Sequence, residues 1–169
     1  MTAREAPIRV VLAEDHALVR EGTAEPLERA GGIRVVGQAA NGIEALQLVQ
    51  TLQPDVLLLD LALPGLDGLE VARRTRAASP GTAVVALTAH DEVAYVLAML
   101  EAGAAGYLSK ASRGQEVVQA VRAAATGETV FSGSIDSSVK QRALGGGGRL
   151  ASLTPRAASA TSRSARSSV

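Results

Sequence analysis

Apolar runs alternate with helix-like segments from about residue 8 to residue 131. The run Val56-Leu57-Leu58-Leu59-Asp60 shows the pattern, since four apolar residues end on a carboxylate. Runs this short, bounded by proline or glycine, are typical of strands buried on both faces of a parallel sheet. Between them, apolar residues recur at helical spacing. We expect strands at 8–13, 33–40, 56–60, 83–88 and 106–108, and helices at 17–30, 43–52, 67–78 and 91–101. Ser112 is expected to cap a last helix that carries Val117, Val118, Val121 and Ala125 on one face.

Five strand–helix units in this order predict an α/β fold. Parallel strands need helical crossovers, and those crossovers are right-handed, so the units form a doubly wound parallel sheet. Pro26 lies inside the first helix pattern and removes one backbone hydrogen bond. We expect a kink there, at about 3 kcal/mol unless packing compensates. Asn41-Gly42 predicts a turn and an N-cap for the second helix.

Composition narrows the class of protein. A chain of 169 residues that is 47% hydrophobic can bury one sizeable core. The absence of cysteine excludes a disulfide framework and a thiolate metal site. No apolar run approaches the roughly 18 residues that span a bilayer, and residues 1–7 lack a signal-peptide pattern, so we expect a cytoplasmic protein. The few aromatic residues argue against stacking on single-stranded nucleic acid.

Charge divides the chain into two parts. Residues 1–136 hold 11 basic and 17 acidic residues, whereas residues 137–169 hold six basic and no acidic residues. From Ser132 onward the apolar periodicity is lost, and the chain passes through four glycines at 145–148 into alanine, serine and arginine. This composition predicts a linker and a disordered, low-complexity basic tail over 132–169. Such a tail would attract nucleic acid only weakly and without sequence preference.

Polar side chains stand at the carboxyl ends of four expected strands. Glu14 and Asp15 follow the first strand, Asp60 and Thr88 end the third and fourth strands, and Lys110 follows the fifth. The carboxyl ends of parallel strands meet at one edge of a sheet, where ligands bind. Clustered carboxylates need a cation, and oxygen ligands without cysteine suit Mg²⁺. Lys110 supplies a positive charge for a phosphoryl group, and the Thr88 hydroxyl can donate a hydrogen bond to one of its oxygens. The cluster therefore predicts a phosphoryl-transfer site in which a carboxylate is the nucleophile.

Four motifs, in order and at consistent spacing, carry a family resemblance. They are Val11-Leu12-Ala13-Glu14-Asp15-His16, residues 58–68 around Asp60, Leu87-Thr88-Ala89, and residues 103–110 ending at Lys110. With them, the chain up to residue 131 resembles the receiver domain of two-component response regulators of the NarL/FixJ type. The resemblance implies a flavodoxin-like sheet of strand order 2-1-3-4-5 and a receiver domain over residues 1–131.

The resemblance also implies residue roles. Asp60 would accept a phosphoryl group from a phosphohistidine of a sensor histidine kinase, in a pathway regulating transcription. Mg²⁺ would be held by Glu14, Asp15, Asp60 and the backbone carbonyl of Ala62. Lys110 would bind the carboxylate and then the phosphoryl group, while Thr88 and Tyr107 would switch conformation. The chain would be a phosphoacceptor with at most self-phosphorylation and self-dephosphorylation, and two copies would pair on activation.

The chain departs from the family pattern at two places. Ala111 follows Lys110 where proline is usual, which weighs against a cis bond because a non-proline cis peptide costs about 3 kcal/mol. Leu153-Thr154-Pro155-Arg156 resembles the opening of a LuxR-type helix-turn-helix, but residues 157–169 lack the apolar residues to complete one. We therefore expect no complete DNA-binding domain and no specific DNA binding, and we suggest a truncation or frameshift.

Other interpretations are weaker. A haloacid-dehalogenase-type phosphatase needs a second acid two residues after its nucleophile, where this chain has Ala62. A nucleotide-binding module needs glycines in the first loop, and residues 13–19 have none. An inactive receiver that acts as an interaction module stays open. His16 and His90 are more simply solvated loop residues, and Tyr107 alone would be taken as a half-buried residue of an edge strand.

Overall fold

Six parallel strands form one sheet in the computed structural model, which describes residues 6–89, 93–112 and 114–131. The strands are β1 (Ile8–Ala13), β2 (Ile33–Ala39), β3 (Val56–Asp60), β4 (Ala83–Thr88), β5 (Ala104–Ser109) and β6 (Val130–Phe131). The helices are α1 (Ala17–Arg29), α2 (Gly42–Leu52), α3 (Gly68–Ala78), α4 (Val93–Glu101) and α5 (Gly114–Ala125). The sheet order β2-β1-β3-β4-β5-β6 confirms the flavodoxin-like order and adds β6 at the edge.

Alternate residues of the central strands pack into two cores. Leu57 and Leu59 of β3 face the core formed with α2, α3 and α4, whereas Val56 and Leu58 face the core formed with α1 and α5. All five residues of β3 are buried. This agrees with the expectation of a strand covered by helices on both faces, and it places the carboxyl end of β3 between the two helical layers.

Two differences from the expected elements concern the end of the sheet. β5 covers Ala104–Ser109 rather than 106–108, because small residues with weak strand preference begin it. β6 was not expected, since two residues are too short to show a period. The start of the expected helix at 91–92 lies outside the described residues, and so do residues 132–169, where a linker, a basic tail and an incomplete DNA-binding domain were expected.

Pro26 does not interrupt α1, which continues through it to Arg29. Its ring packs against the start of α5, where a Cβ added to Gly114 would lie 2.9 Å from the ring carbons. Arg122 of α5 donates to the carbonyls of Ala30 (3.1 Å) and Gly31 (3.0 Å), just past the end of α1. Contacts with α5 therefore support the helix where proline weakens it.

All peptide bonds of the described residues are trans, including the one between Lys110 and Ala111. Over the described ranges, the helices are too short or too polar to cross a membrane.

Candidate functional site

Asp60 ends β3 as a buried carboxylate, with 1% of its surface exposed. Its Oδ1 accepts a hydrogen bond from the backbone N–H of Ala62 at 3.0 Å. The next residue, Leu61, donates its N–H to the carbonyl of Leu87 in β4 at 3.0 Å. The backbone that directly follows Asp60 thus holds the carboxylate in place at the sheet edge.

Lys110 connects two carboxylates that are distant in the sequence. Its backbone N–H donates to the carbonyl of Thr88 at 2.7 Å, which continues the pairing of β4 and β5. Its Nζ donates to Asp60 Oδ2 at 3.0 Å and lies 3.2 Å from Oε1 of Glu14, a residue that directly follows β1. Glu14 is also buried, with 1% exposed. One ammonium group therefore bridges residues from β1 and β3.

Burial and charge act in opposite directions on these groups. Burial raises the pKa of Asp60, and the charge of Glu14 adds to this, against the Ala62 N–H and Lys110. Burial also disfavours ionised Glu14, but hydrogen bonds from His16 and the adjacent positive charge of Lys110 prevail and lower its pKa. For Lys110, burial opposes the charged form, and the two carboxylates outweigh it and raise the pKa. Lys110 therefore stays protonated, and the ionised form of Asp60 is less favourable than it would be in water.

Two carboxylate oxygens in the site are buried without a hydrogen bond, Glu14 Oε1 and Asp15 Oδ1. Lys110 Nζ and His16 Nδ1 lie 3.2 Å from them, respectively, but neither contact is aligned as a hydrogen bond. Buried acceptors without a donor are costly, and a hard divalent cation would satisfy them. The donor set therefore fits Mg²⁺.

His16 is a largely exposed loop residue that also contacts the two preceding acids. Its backbone N–H donates to Glu14 Oε2 at 3.1 Å, and its Nδ1 lies 3.1 Å from the same oxygen. Ligand atoms of Glu14, Asp15 and His16 all lie within 4.8 Å of one another. The ring is nevertheless 71% exposed. Its adjacency to Asp15 was the only sequence signal for this contact, and His90 lies outside the described residues.

Thr88 and Tyr107 occupy the two strands beyond Asp60. Thr88 ends β4 and is 4% exposed, and β4 pairs with β3 so that Leu87 stands opposite Asp60. Tyr107 is fully buried in the core shared with α2, α3 and α4. The interpretation of Tyr107 as a half-buried edge-strand residue is wrong, because β6 covers that edge of β5.

Arg20 is a residue that sequence reasoning missed. From α1, its Nη1 donates to the backbone carbonyl of Glu14 at 2.7 Å, and its Nε donates to Gln38 Oε1 at 3.2 Å. It therefore ties the acidic loop to α1 and β2. No local pattern marks an arginine on an exposed helix face as a partner of the preceding loop.

The loop after Asp60 is held against the start of α2. The N–H of Gly42 donates to the carbonyl of Pro64 at 3.1 Å, and a Cβ on Gly42 would lie 2.5 Å from the carbonyl oxygen of Leu66. Asn41 caps α2 as expected, since its side chain accepts from the N–H of Glu44 at 2.8 Å. The loop that carries Ala62 is thus packed on the capped end of a helix.

Family comparison agrees with this fold and site. The family model "Response regulator receiver domain" matches residues 10–122. The chain belongs to the response-regulator receiver family.

Individual relatives point to the NarL/LuxR branch. The chain is 42% identical over 140 residues to "Probable transcriptional regulatory protein NarL" of Mycobacterium tuberculosis H37Rv, covering 80% of this chain and 65% of that relative. It is 41% identical over 128 residues to "Response regulator GacA" of Pseudomonas viridiflava, covering 76% and 60%. The solved signal receiver domain of M. tuberculosis NarL matches with a TM-score of 0.71 and 44% identity, covering 73% of this chain and all of that one. The chain spans less than two thirds of the length of both curated relatives.

Proposed function

We propose that Asp60 accepts a phosphoryl group from the phosphohistidine of a sensor histidine kinase. The observation that carries this proposal is the buried Asp60 carboxylate held by Lys110 Nζ at 3.0 Å beside buried Glu14. A structural aspartate would not require a second buried acid next to it. Membership of the receiver family supports the same role.

The reaction is a direct displacement at phosphorus. A carboxylate oxygen of Asp60 forms a bond to phosphorus while the bond from phosphorus to the donor's imidazole nitrogen breaks, and the electron pair stays on that nitrogen. The imidazole takes up one proton from water, so the products are an aspartyl phosphate and a neutral histidine. Lys110 is positioned to move from the carboxylate to a phosphoryl oxygen, so its charge remains compensated throughout. Water later attacks the acyl phosphate and returns Asp60 and inorganic phosphate.

Mg²⁺ would be held by Glu14, Asp15, Asp60 and the backbone carbonyl of Ala62. When bound, it would offset the negative charge that the phosphoryl oxygens bring to this acidic edge. Support comes from the two buried carboxylate oxygens without hydrogen bonds. His16 stands beside these ligands and would hold Glu14 through the hydrogen bond from its backbone.

Thr88 and Tyr107 would transmit the change. Both side chains are buried, Thr88 at the edge of the sheet and Tyr107 in the core behind it. A phosphoryl group shifts a conformational equilibrium only through contacts that it makes better in one state, and a hydroxyl at the end of β4 is suited to such a contact. Pairing of two phosphorylated copies would follow from the same shift.

Regulation of transcription is the output that we propose. It rests on the relative named as a probable transcriptional regulatory protein NarL, of which this chain spans 65%. An alternative function as a Mg²⁺-dependent phosphatase of the haloacid-dehalogenase type has no support, because Ala62 carries no acid.

The test is intact mass after incubation with acetyl phosphate. With Mg²⁺, the chain should gain about one phosphoryl unit, and Asp60→Asn should gain none. Asp67→Asn is a matched control, because Asp67 is exposed in the same loop and makes no capping hydrogen bond. Phosphorylation of folded Asp60→Asn at the rate of the unaltered chain would contradict the assignment. Failure of the unaltered, folded chain to react would favour the inactive interaction module.

A further inference from the structure

A groove of about 380 Å³ lies along α5 at the edge of the sheet formed by β6. Its floor is apolar and includes Leu108, Ala120, Val130 and Phe131. Val130 and Phe131 are partly buried and pack against the two different cores. Among the described residues, nothing pairs with the outer side of β6. Apolar surface connected to both cores is thus accessible along this edge.

The chain itself continues directly from this groove. Phe131 lines the groove, and residues 132–144 separate it from the glycines at 145–148. As a helix these residues would span about 20 Å, more than the roughly 12 Å that α5 covers between Gln115 and Ala123. A segment tethered at the groove has a high effective concentration there.

The segment has apolar residues that suit the floor. Ile135 and Val139 are four residues apart, the spacing that places two side chains on one face of a helix, and Leu144 follows them. No other apolar residue larger than alanine lies between Phe131 and the glycines.

Charge is complementary as well. Lys140 and Arg142 give the segment two cations against the single acid Asp136. The exposed acids near the groove are Glu116 on its rim and Glu128 just before β6. Opposite charges of this kind would determine the orientation of the bound segment and would add little to its affinity.

We propose that residues 133–144 of this chain dock in the groove between α5 and β6, with Ile135 and Val139 on its floor. The segment then covers the sheet edge, and the glycines form the flexible connection to residues 149–169. A second copy of the chain or another protein could occupy the groove only by displacing residues 133–144.

Disulfide trapping tests this directly, because the chain has no cysteine of its own. In the full chain, Gln119→Cys on the exposed rim is combined with a cysteine at each position from 133 to 144 in turn, and disulfide formation is followed with oxidised glutathione. Gln50→Cys, which is exposed on α2, is the matched anchor on the other face of the sheet. For a freely moving tail, the rates with Gln119→Cys should fall smoothly, by about twofold, from the shorter to the longer loop.

If the segment docks, the disulfide within one chain should form at one or more positions at least about tenfold faster than the smooth dependence on loop length predicts. The advantage should disappear when Ile135→Asp and Val139→Asp are added, and the Gln50→Cys series should show no peak. Smooth rates with both anchors would overturn the proposal. Disulfides found only between two chains would also overturn it and assign the groove to a second copy.

Discussion

Single residues in the site carry charge that water would normally solvate. Glu14 and Asp60 are each 1% exposed, and one ammonium, from Lys110, lies against both. Asp15 adds a third carboxylate that is 30% exposed. The acids outnumber the adjacent lysine, so the site is prepared for a cation and remains under electrostatic strain without one.

Removing the charge of Asp15 should make the free energy of unfolding much less dependent on Mg²⁺. For the unaltered chain, Mg²⁺ at a hundred times its dissociation constant should raise the free energy of unfolding by about 2.7 kcal/mol. Asp15→Asn should lose most of this gain, whereas its metal-free stability should stay equal or rise because a repulsive charge is gone. Urea titrations with and without Mg²⁺ measure both quantities. A full Mg²⁺ gain in Asp15→Asn would mean that this carboxylate is no ligand.

A second residue-scale feature is remote from the site. Thr75 of α3 is fully buried, and its hydroxyl has no hydrogen-bond partner among the described residues. Thr75→Val keeps the shape and removes the unsatisfied group, so the free energy of unfolding should rise by about 1 kcal/mol. Thr82→Val is the control: that hydroxyl donates to the carbonyl of Pro54 at 2.6 Å, and its loss should destabilise by about 1 kcal/mol or more. Equal effects in urea unfolding would contradict the assignment.

At the scale of elements, the start of α2 acts as a support for the loop after β3. The close approach of Gly42 to Leu66 leaves no space for a side chain. Gly65 in the same loop has a φ of 87°, a conformation that favours glycine. Two glycines on two elements therefore allow one packed turn beneath the residues that follow Asp60.

Gly42→Ala should disturb both stability and the site. The new Cβ would force the loop away from α2, at about 2 kcal/mol in unfolding free energy, and displace Ala62 with it. We expect weaker Mg²⁺ binding and slower phosphorylation in intact-mass assays. Gly22→Ala is the matched control, because nothing lies within 4 Å of its added Cβ and alanine favours a helix, so this change should stabilise by up to about 1 kcal/mol. Unchanged Mg²⁺ affinity in Gly42→Ala would show that the loop adapts.

At the scale of the whole molecule, the two cores lie on the two faces of one sheet. Within the part of the chain that the structure describes, the buried members of both clusters run from Val10 to Ala124, and Phe131 packs against one cluster from β6. The solved receiver domain of M. tuberculosis NarL corresponds to 73% of this chain. The domain boundary expected at residue 131 stays a prediction, which truncated chains can test.

A chain ending at Phe131 should therefore fold alone. It should unfold in one cooperative transition and accept a phosphoryl group on Asp60, since no site residue lies beyond Lys110. A chain ending at Gly127, which removes β6, should be measurably less stable because it exposes the edge of β5. Thermal unfolding and the acetyl phosphate assay compare the two. A chain ending at Phe131 that fails to fold would show that the tail is part of the domain.

The α/β class, the order of the first five strands and the five helices, and the polar residues at the carboxyl edge of the sheet could all be predicted from the sequence. Periodicity and glycine or proline boundaries are local, so Asp60 and Lys110 could be assigned to strand ends without coordinates. Tertiary structure alone decided that Lys110 bridges Glu14 and Asp60, that Arg20 holds the Glu14 carbonyl, and that β6 completes the sheet. These contacts join residues from different elements, and two-residue strands have no period. Only the packed backbone sets which atoms meet and which buried oxygens are left without a donor.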